Sequence, residues 1–379
     1  MQSTETGIMK KILSILLIAF SVVAATDAFC QVEWPSYEHL MTPERHYVVY
    51  QSFSPMEIDG KADEASWENA EWTDYFLDIE GKHKPEPTWQ TRMKMLWDND
   101  YLYFFAELEE PHVWSYYDVR DMIVFHENDF EIFIDPDGDT HHYFEFEFNA
   151  RNTIFDLFMT KPYRNGGIPL ISWDATGTLH AVNVEGTLNN PDDTDSRWTL
   201  EVAIPFKDLR LGVHAKTPGE GDQWRINFSR VQWQTEIKDG RYQRKKDEET
   251  GRLIPEDNWV WSPTGVINMH FPERWGFLQF TESPANGEKT SFTPPPAESI
   301  REHLWKIYYK QNHFRHQTGS YAQSLADLSE SKTLTTPEGE KAELTLKATG
   351  IQYTVSATTD EGWVLVLDNR SHFRMHRKD

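Results

Sequence analysis

The stretch from Asn128 to Asp139 reads Asn-Asp-Phe-Glu-Ile-Phe-Ile-Asp-Pro-Asp-Gly-Asp, and it decides the predicted fold. Its polar and apolar residues alternate up to a Pro-Asp-Gly turn, which is the pattern of a strand that ends in a tight turn. Beyond the turn, Tyr143–Phe148 places Phe at alternate positions and Glu145 and Glu147 on the opposite face. The two strands are therefore predicted to form a β-hairpin whose glutamate face is solvated.

An earlier stretch, Ile58–Trp67, reads Ile-Asp-Gly-Lys-Ala-Asp-Glu-Ala-Ser-Trp and indicates a turn that leads into an acidic segment closed by Trp. Between the two stretches, Trp89–Trp97 alternates, and Tyr101–Leu108 follows it across an Asp-Asn-Asp turn, which predicts a further hairpin. Tyr47–Tyr50 is a β-rich start. Further strands are predicted at 153–159, 178–188, 197–204, 223–233 and 275–280. Regularly spaced strands with turn signals between them are typical of a β-sandwich.

In this order, the Ile-Asp-Gly turn with its closing Trp and the strand that runs into Pro-Asp-Gly resemble carbohydrate-binding module family 9, a DOMON-like group. The resemblance covers residues 45–281. It implies a mainly β fold, an immunoglobulin- or jelly-roll-like antiparallel β-sandwich, and non-catalytic sugar binding. In sugar-binding members, two Trp side chains sandwich the terminal sugar. Here Phe125 or His126 stands at the first position and Met269 or His270 at the second, while Glu145 stands near the position of a family Arg.

The rest of the chain changes character after the predicted sandwich. Residues 282–297 are rich in Pro and polar residues, so they are expected to form an extended, weakly packed linker. Residues 298–379 begin with apolar residues at helical spacing and continue with two strands. This segment resembles the globular part of type IV pilin-like proteins, which implies a small C-terminal α+β accessory domain that docks an envelope protein partner.

Residues 1–31 are predicted to be a signal peptide, because Met9-Lys10-Lys11 precedes an apolar run that is too short to span a bilayer. Met9 is the better start, so residues 1–8 are not required. Cys30 is the only cysteine, which rules out an internal disulfide. The protein is therefore expected to be exported, periplasmic or extracellular, and soluble after cleavage. Its net charge of −24 argues against nucleic acid as a partner.

Three aromatic and charged loops are the candidate binding regions. A sugar has an apolar face that stacks on rings and hydroxyl groups that need planar polar partners. If the loops gather at one end of the sandwich, they form one cleft for an oligosaccharide or polysaccharide. The candidate ligand-binding residues are Trp114, His126, Asn128, Glu145, Arg164, Trp173, Asp174, Met269 and His270.

The turn after the decisive strand supplies three carboxylates, Asp135, Asp137 and Asp139. Hard cations such as calcium take several carboxylate oxygens, so a calcium site is one interpretation of this trio. The spacing does not match an EF-hand loop, and Pro-Asp-Gly is also ordinary turn chemistry. A structural turn is therefore the alternative, and calcium is the single cofactor considered for it.

Catalytic motifs are missing from the sequence. It contains no CxxC, HExxH, GxSxG or Walker-type loop, and no pair of acids is marked as the acid and base of a glycoside hydrolase. The protein is therefore predicted not to be an enzyme. Two alternatives to sugar binding stay open. One is a haem-binding redox domain with Met269, His270 or His126 as axial ligands; the other is a protein-binding module that has lost its sugar site.

Overall fold

The computed structural model describes residues 33–212 and 216–378. The predicted signal peptide, residues 1–31, lies outside the described residues. Within the part of the chain that is described, no helix is long and apolar enough to cross a membrane.

Among the described residues before residue 285, the chain forms fifteen strands and one short α-helix, α1 (Ala65–Asn69). The strands are β1 (His46–Gln51), β2 (Leu77–Asp78), β3 (Thr91–Trp97), β4 (Tyr101–Glu109), β5 (Asp129–Asp135), β6 (Tyr143–Asn149), β7 (Ile154–Met159), β8 (Pro169–Leu170), β9 (Leu179–Glu185), β10 (Arg197–Pro205), β11 (Gln223–Gln232), β12 (Thr235–Lys238), β13 (Arg241–Arg244), β14 (Asp257–Val260) and β15 (Gly276–Pro284). The strands predicted from alternation are confirmed, with ends that shift by a few residues. The predicted mainly β class is confirmed as well.

The strands form two layers that β1 joins. One layer runs in the order β8-β7-β6-β5-β11-β15, and the other in the order β3-β4-β10-β9. The first residues of β1 pair in parallel with β15, and its last two residues pair in parallel with β3. Because β1 changes partner along its length, it connects the layers at a corner of the sandwich.

The main core lies between these layers. The phenylalanines of β6 are fully buried against residues of β3, β4 and β10, and Phe104 of β4 contacts Phe228 of β11 with ring centroids 5.8 Å apart. The predicted inward face of Phe144, Phe146 and Phe148 is therefore confirmed. Burying a phenylalanine contributes about 1.5–3 kcal/mol, so this aromatic face holds the two layers together.

The Ile-Asp-Gly turn is fixed by a buried glutamate of β10. The Glu201 carboxylate accepts hydrogen bonds from the backbone N–H of Asp59 (3.0 Å) and Gly60 (3.1 Å) and from the indole N–H of Trp67 (2.9 Å). Glu201 has no exposed surface. One buried side chain therefore holds both ends of the Ile58–Trp67 stretch against the outer face of the β3-β4-β10 layer.

The C-terminal part is a helix packed on an antiparallel sheet. The helix is α2 (Glu298–Thr318), and the strands, in sheet order, are β16 (Thr333–Thr335), β17 (Lys341–Ala348), β18 (Tyr353–Thr359), β19 (Trp363–Asp368) and β20 (Phe373–Arg377). Apolar residues of α2 and the sheet form a second core. The predicted α+β character is confirmed, whereas the pilin-like resemblance stays a prediction.

The segment expected to be a weakly packed linker is tied to the sandwich. The Phe292 ring stacks on His46 with centroids 4.1 Å apart, and the Gln279 side chain bonds the backbone of Ser291 and Thr293. The expectation of weak packing was therefore wrong for these residues, because side chains of β1 and β15 offer them partners. The basic segment Arg241–Lys246 begins with a strand. Its first four residues form β13, paired with β12.

Replacing Gly60 by Ala is expected to destabilise the protein by about 2 kcal/mol or more. Gly60 has a φ of +86°, and an added Cβ would lie 2.9 Å from the backbone N of Asn183. The matched control is Gly240→Ala, because Gly240 has a φ of +72° but no atom within 4 Å of an added Cβ. Urea unfolding measures both changes. Equal losses for the two variants would contradict the close packing of the turn against β9.

Candidate functional site

The outer face of the β5-β6 hairpin carries four buried carboxylates. Asp129 and Glu131 belong to β5, and Glu145 and Glu147 belong to β6, all on the face opposite the phenylalanines. Their exposed fractions are 0%, 6%, 5% and 2% in that order. The expectation of a solvated glutamate face was therefore wrong. We refer to these four residues as the acidic cluster.

The acids lie close enough to influence one another. One carboxylate oxygen from each of Asp129, Glu131 and Glu147 lies within 4.8 Å of the other two. Burial raises the pKa of Glu131 to about 7, and burial followed by repulsion from neighbouring carboxylates raises the pKa of Asp129, Glu145 and Glu147 well above the ordinary range. The cluster therefore favours any ligand that offers positive charge or hydrogen-bond donors.

Two half-exposed rings border the acidic cluster. Phe125 is 37% exposed, and its backbone N–H donates to Glu147 Oε2 at 3.2 Å. Tyr163 is 45% exposed, and the charges of Glu145 and Glu147 contribute to a raised Tyr163 pKa of about 12, after the larger effect of burial. We refer to Phe125 and Tyr163 as the rim rings. They offer apolar surface beside buried oxygen acceptors, which is the combination that sugars require.

Both predicted histidines lie against a rim ring. The centroid of His126 is 4.7 Å from that of Phe125, and the centroid of His270 is 4.4 Å from that of Tyr163. His270 Nδ1 bonds the Tyr143 hydroxyl at 2.8 Å, and Nε2 lies 3.9 Å from Glu145 Oε2. Burial, reinforced by the charge of Arg164, lowers the pKa of His270 to about 4. His270 is therefore neutral near pH 7 and does not offset the charge of the cluster.

Arg164 and Met269 support the walls of the site. Arg164 Nη2 pairs with Glu273 Oε2 at 2.7 Å, and the Arg164 guanidinium lies 4.1 Å from the ring centroid of Phe271. Burial opposes the charge of Arg164, but the Glu273 carboxylate raises its pKa overall. Met269 is buried, and its carbonyl accepts the indole N–H of Trp275 at 2.7 Å. Both residues therefore fix the 269–275 segment rather than face an open cleft.

The remaining candidates do not join this site. Trp114 is 4% exposed and packs with Val231, Trp233 and Tyr242, so neither face of its ring is open for stacking. Trp173 packs on Phe144 and Phe146, on the opposite side of β6 from Glu145.

The two polar candidates are also used elsewhere. Asn128 donates to Glu110 and accepts the backbone N–H of Trp233, and Asp174 pairs with Arg120 at 3.4 Å. Of the candidates, the structure thus brings together Glu145, Arg164, Met269 and His270, whereas His126 lies beside Phe125.

The carboxylates of Asp135, Asp137 and Asp139 each place one oxygen within 4.8 Å of the other two. Asp135 accepts the backbone N–H of Gly138 (3.0 Å) and Thr140 (2.9 Å), which is turn chemistry. Asp139 Oδ2 lies 2.9 Å from His372 Nε2 in the C-terminal part. The calcium interpretation stays a prediction, and the trio has a structural role as a contact between the two parts of the chain.

Sequence reasoning missed both rim rings and three members of the acidic cluster, Asp129, Glu131 and Glu147. A signal was present, because acids at alternate positions in both strands of one hairpin share a face. The alternation does not show that loops from elsewhere in the chain bury that face. Residues around Phe125, Tyr163 and His270 come from three separate loops.

A comparison with known protein families matches part of the sandwich. The sequence model of the carbohydrate family 9 binding domain-like family matches residues 58–231. Among solved structures, the chain is similar to a candidate carbohydrate-binding protein of Bacteroides uniformis, with 16% identity, a TM-score of 0.45, and coverage of 63% of this chain and 100% of the other. No curated protein matches the sequence significantly.

Two further similar structures are those of a family 9 carbohydrate-binding module of Caldicellulosiruptor kristjanssonii. One is in complex with cellotriose, with 15% identity and a TM-score of 0.39. The other is in complex with glucose, with 15% identity and a TM-score of 0.38. Each covers 65% of this chain and 100% of the other.

The stability of the chelator-treated protein is expected to fall as the pH rises from about 5 to about 8. Glu131 has an ordinary pKa of 4.5 and a folded pKa of about 7. Between these values the folded protein holds a proton that the unfolded chain has lost, so the stabilisation present below pH 4.5 is lost as the pH passes through 7. Urea midpoints across this range test it, and Glu131→Gln should show a smaller fall. A midpoint that rises across the range would argue against a buried, protonated cluster.

Replacing Arg164 by Ala is expected to cost about 3–5 kcal/mol, because the fully buried Glu273 carboxylate loses its charged partner. The matched control is Arg151→Ala. Arg151 pairs with Asp118 at the surface, where the two side chains are 43% and 57% exposed, so its loss should cost under about 1 kcal/mol. Urea unfolding compares the two variants. Similar losses would show that the Arg164–Glu273 pair does not brace the site.

Proposed function

Because residues 58–231 of this chain belong to the carbohydrate family 9 binding domain-like family, we propose that the protein binds carbohydrate without cleaving it. The proposed site is the outer face of β5 and β6, with the acidic cluster as its floor and the rim rings Phe125 and Tyr163 as its sides. This position differs from the cleft expected from the sequence, because Trp114 and Trp173 lie elsewhere.

The observation that carries the proposal is the position of the rim rings. Phe125 is one of the two residues that align with the first sugar-stacking Trp of the family. The second position falls at Met269 or His270, and the exposed ring of Tyr163 packs edge-on against His270 with centroids 4.4 Å apart. Tyr163 thus supplies a ring next to the place where the family's second Trp is missing. We infer that Phe125 and Tyr163 replace the Trp pair.

The carboxylates supply the polar half of the site. We propose that Glu131 and Glu145, the two acids of the cluster that keep the most exposed surface, accept hydrogen bonds from sugar hydroxyl groups. Such charge-assisted bonds are about twice as strong as neutral ones. All four acids project from the same face of two adjacent strands. Hydrolysis by paired carboxylates requires one acid on each side of the scissile bond. An arrangement on one face favours binding over cleavage.

The proposal includes the compartment and the accessory unit. We propose that the protein is exported to the periplasm or the cell exterior, where polysaccharide is available. Tyr309 of α2 donates to Glu273 Oε1 at 2.9 Å, on the residue that also binds Arg164. The C-terminal unit thus stabilises the wall of the proposed site, and we propose that its free surface docks an envelope partner.

The test is calorimetric titration of residues 32–379 with cello-, xylo- and manno-oligosaccharides. One class is expected to bind saturably, and Phe125→Ala and Tyr163→Ala are each expected to weaken binding by about tenfold, which is the effect of losing one stacking contact. The matched control is Phe53→Ala, because Phe53 is 39% exposed and lies outside the site.

A flat response to all three classes would contradict the proposal and favour a protein-binding module. Binding that is lost equally in Phe53→Ala would place the sugar elsewhere. Circular dichroism of each variant separates loss of the site from loss of the fold.

A further inference from the structure

Other buried carboxylates of this protein have partners: Glu201, Glu127 and Asp135 accept hydrogen bonds from N–H or O–H groups, and three more pair with a cation. Glu110 pairs with Arg230 at 3.1 Å, Glu273 pairs with Arg164 at 2.7 Å, and Glu44 pairs with Arg274 at 2.8 Å. Among the described residues, by contrast, no Lys or Arg lies within 4 Å of the acidic cluster, and the single histidine contact is His270 at 3.9 Å from Glu145. Burying carboxylates without a partner costs several kcal/mol per charge, and this outer face gathers four of them with no cation beside them.

Unpaired buried oxygens converge on the same place. Both carboxylate oxygens of Asp129 and Oε2 of Glu145 are buried and have no hydrogen-bond partner. Ser229 lies opposite Glu131 on the neighbouring strand β11, and its fully buried hydroxyl is close enough to Glu131 to lower the pKa of that acid, against the larger effect of burial that raises it. Because buried polar atoms are normally paired, this group of free oxygens indicates a missing ligand.

We propose that the acidic cluster binds one calcium ion, with Asp129, Glu131 and Glu147 as its principal ligands. Glu145 and the Ser229 hydroxyl stand next to these three and supply further oxygens. Calcium takes six to eight oxygen ligands at about 2.3–2.6 Å, so oxygens on opposite sides of the ion lie about 5 Å apart. The three principal ligand oxygens lie within 4.8 Å of one another, which fits a single coordination sphere.

The chemistry of the site favours calcium over other divalent ions. The three principal ligands and Ser229 offer oxygens only, and the one nearby imidazole, that of His270, lies against Glu145. This set favours a hard ion over the softer ions that prefer sulfur or imidazole. Magnesium keeps several waters and strict octahedral geometry, whereas the cluster is closed on most sides by protein. The turn at Asp135, Asp137 and Asp139 is the competing acidic group, and there backbone N–H groups and His372 already occupy oxygens of Asp135 and Asp139.

The calcium site shares the acidic cluster with the proposed sugar site, but it rests on charge and unpaired oxygens rather than on the rim rings, so either proposal can fail without the other. The experiment therefore contains no glycan. Residues 32–379, freed of metal with EDTA and dialysed, are titrated with CaCl₂ by calorimetry at pH 7.5, and MgCl₂ is titrated in parallel. We expect stoichiometric calcium binding that Glu131→Gln weakens at least tenfold, and tighter binding of calcium than of magnesium.

The matched control is Asp137→Asn, which changes one acid of the competing group and should leave binding to the cluster intact. Ser229→Ala keeps every carboxylate, so it is the second variant if Glu131→Gln does not fold, and it should weaken calcium binding measurably. Absence of calcium binding would overturn the proposal. Calcium binding that survives Glu131→Gln and Ser229→Ala but disappears in Asp137→Asn would also overturn it. Two calcium sites, of which Glu131→Gln removes one, would support it.

Discussion

Burial of both faces of the β5-β6 hairpin is the constraint on which the rest of the structure depends. The inner face is aromatic and joins the main core between the two layers. The outer face carries the acidic cluster, and it can be buried only if other parts of the chain cover it. Loops near residues 125, 163 and 270 form that cover, and each of them must be held in place, since a loop has little packing of its own.

The bracing of those loops explains why the C-terminal unit is attached so closely. Arg164 reaches from one loop to Glu273 in another, and Glu273 in turn accepts the hydroxyl of Tyr309 from α2. The chain of contacts runs from the loop of the Tyr163 ring to the helix without a solvent gap. A sandwich that lacked this unit would keep its inner core but lose support for the outer wall. The accessory unit is thus part of the architecture of the site as well as a candidate docking surface.

The sequence was sufficient to predict the strands because alternation is a local property. Phe144 and Glu145 are neighbours in a strand, so their side chains lie on opposite faces. It was insufficient for burial on the outer face, which depends on loops more than a hundred residues apart, such as those of Tyr163 and His270. Trp114 shows the same limit, since its cover comes from Trp233 and Tyr242. Of the candidate site, His270 and Glu145 were foreseen as ligand-binding residues. Phe125 was placed at a family Trp position without being a candidate, and Tyr163 was not singled out, because the exposure of a ring depends on the loops around it.

The exchange of one charged residue connects the sugar and calcium proposals. Near the position of Glu145, the resemblance to family 9 carbohydrate-binding modules implies an Arg in the sugar-binding members. A guanidinium there would neutralise neighbouring acids and donate to hydroxyl groups. Glutamate at that position reverses the charge, so the outer face has an additional hydrogen-bond acceptor and no guanidinium. A site with this composition needs positive charge from outside the chain, and protons alone supply it only at the cost of a pH-dependent fold. A bound calcium ion would neutralise the acids at neutral pH and would leave the rim rings free to stack on a sugar.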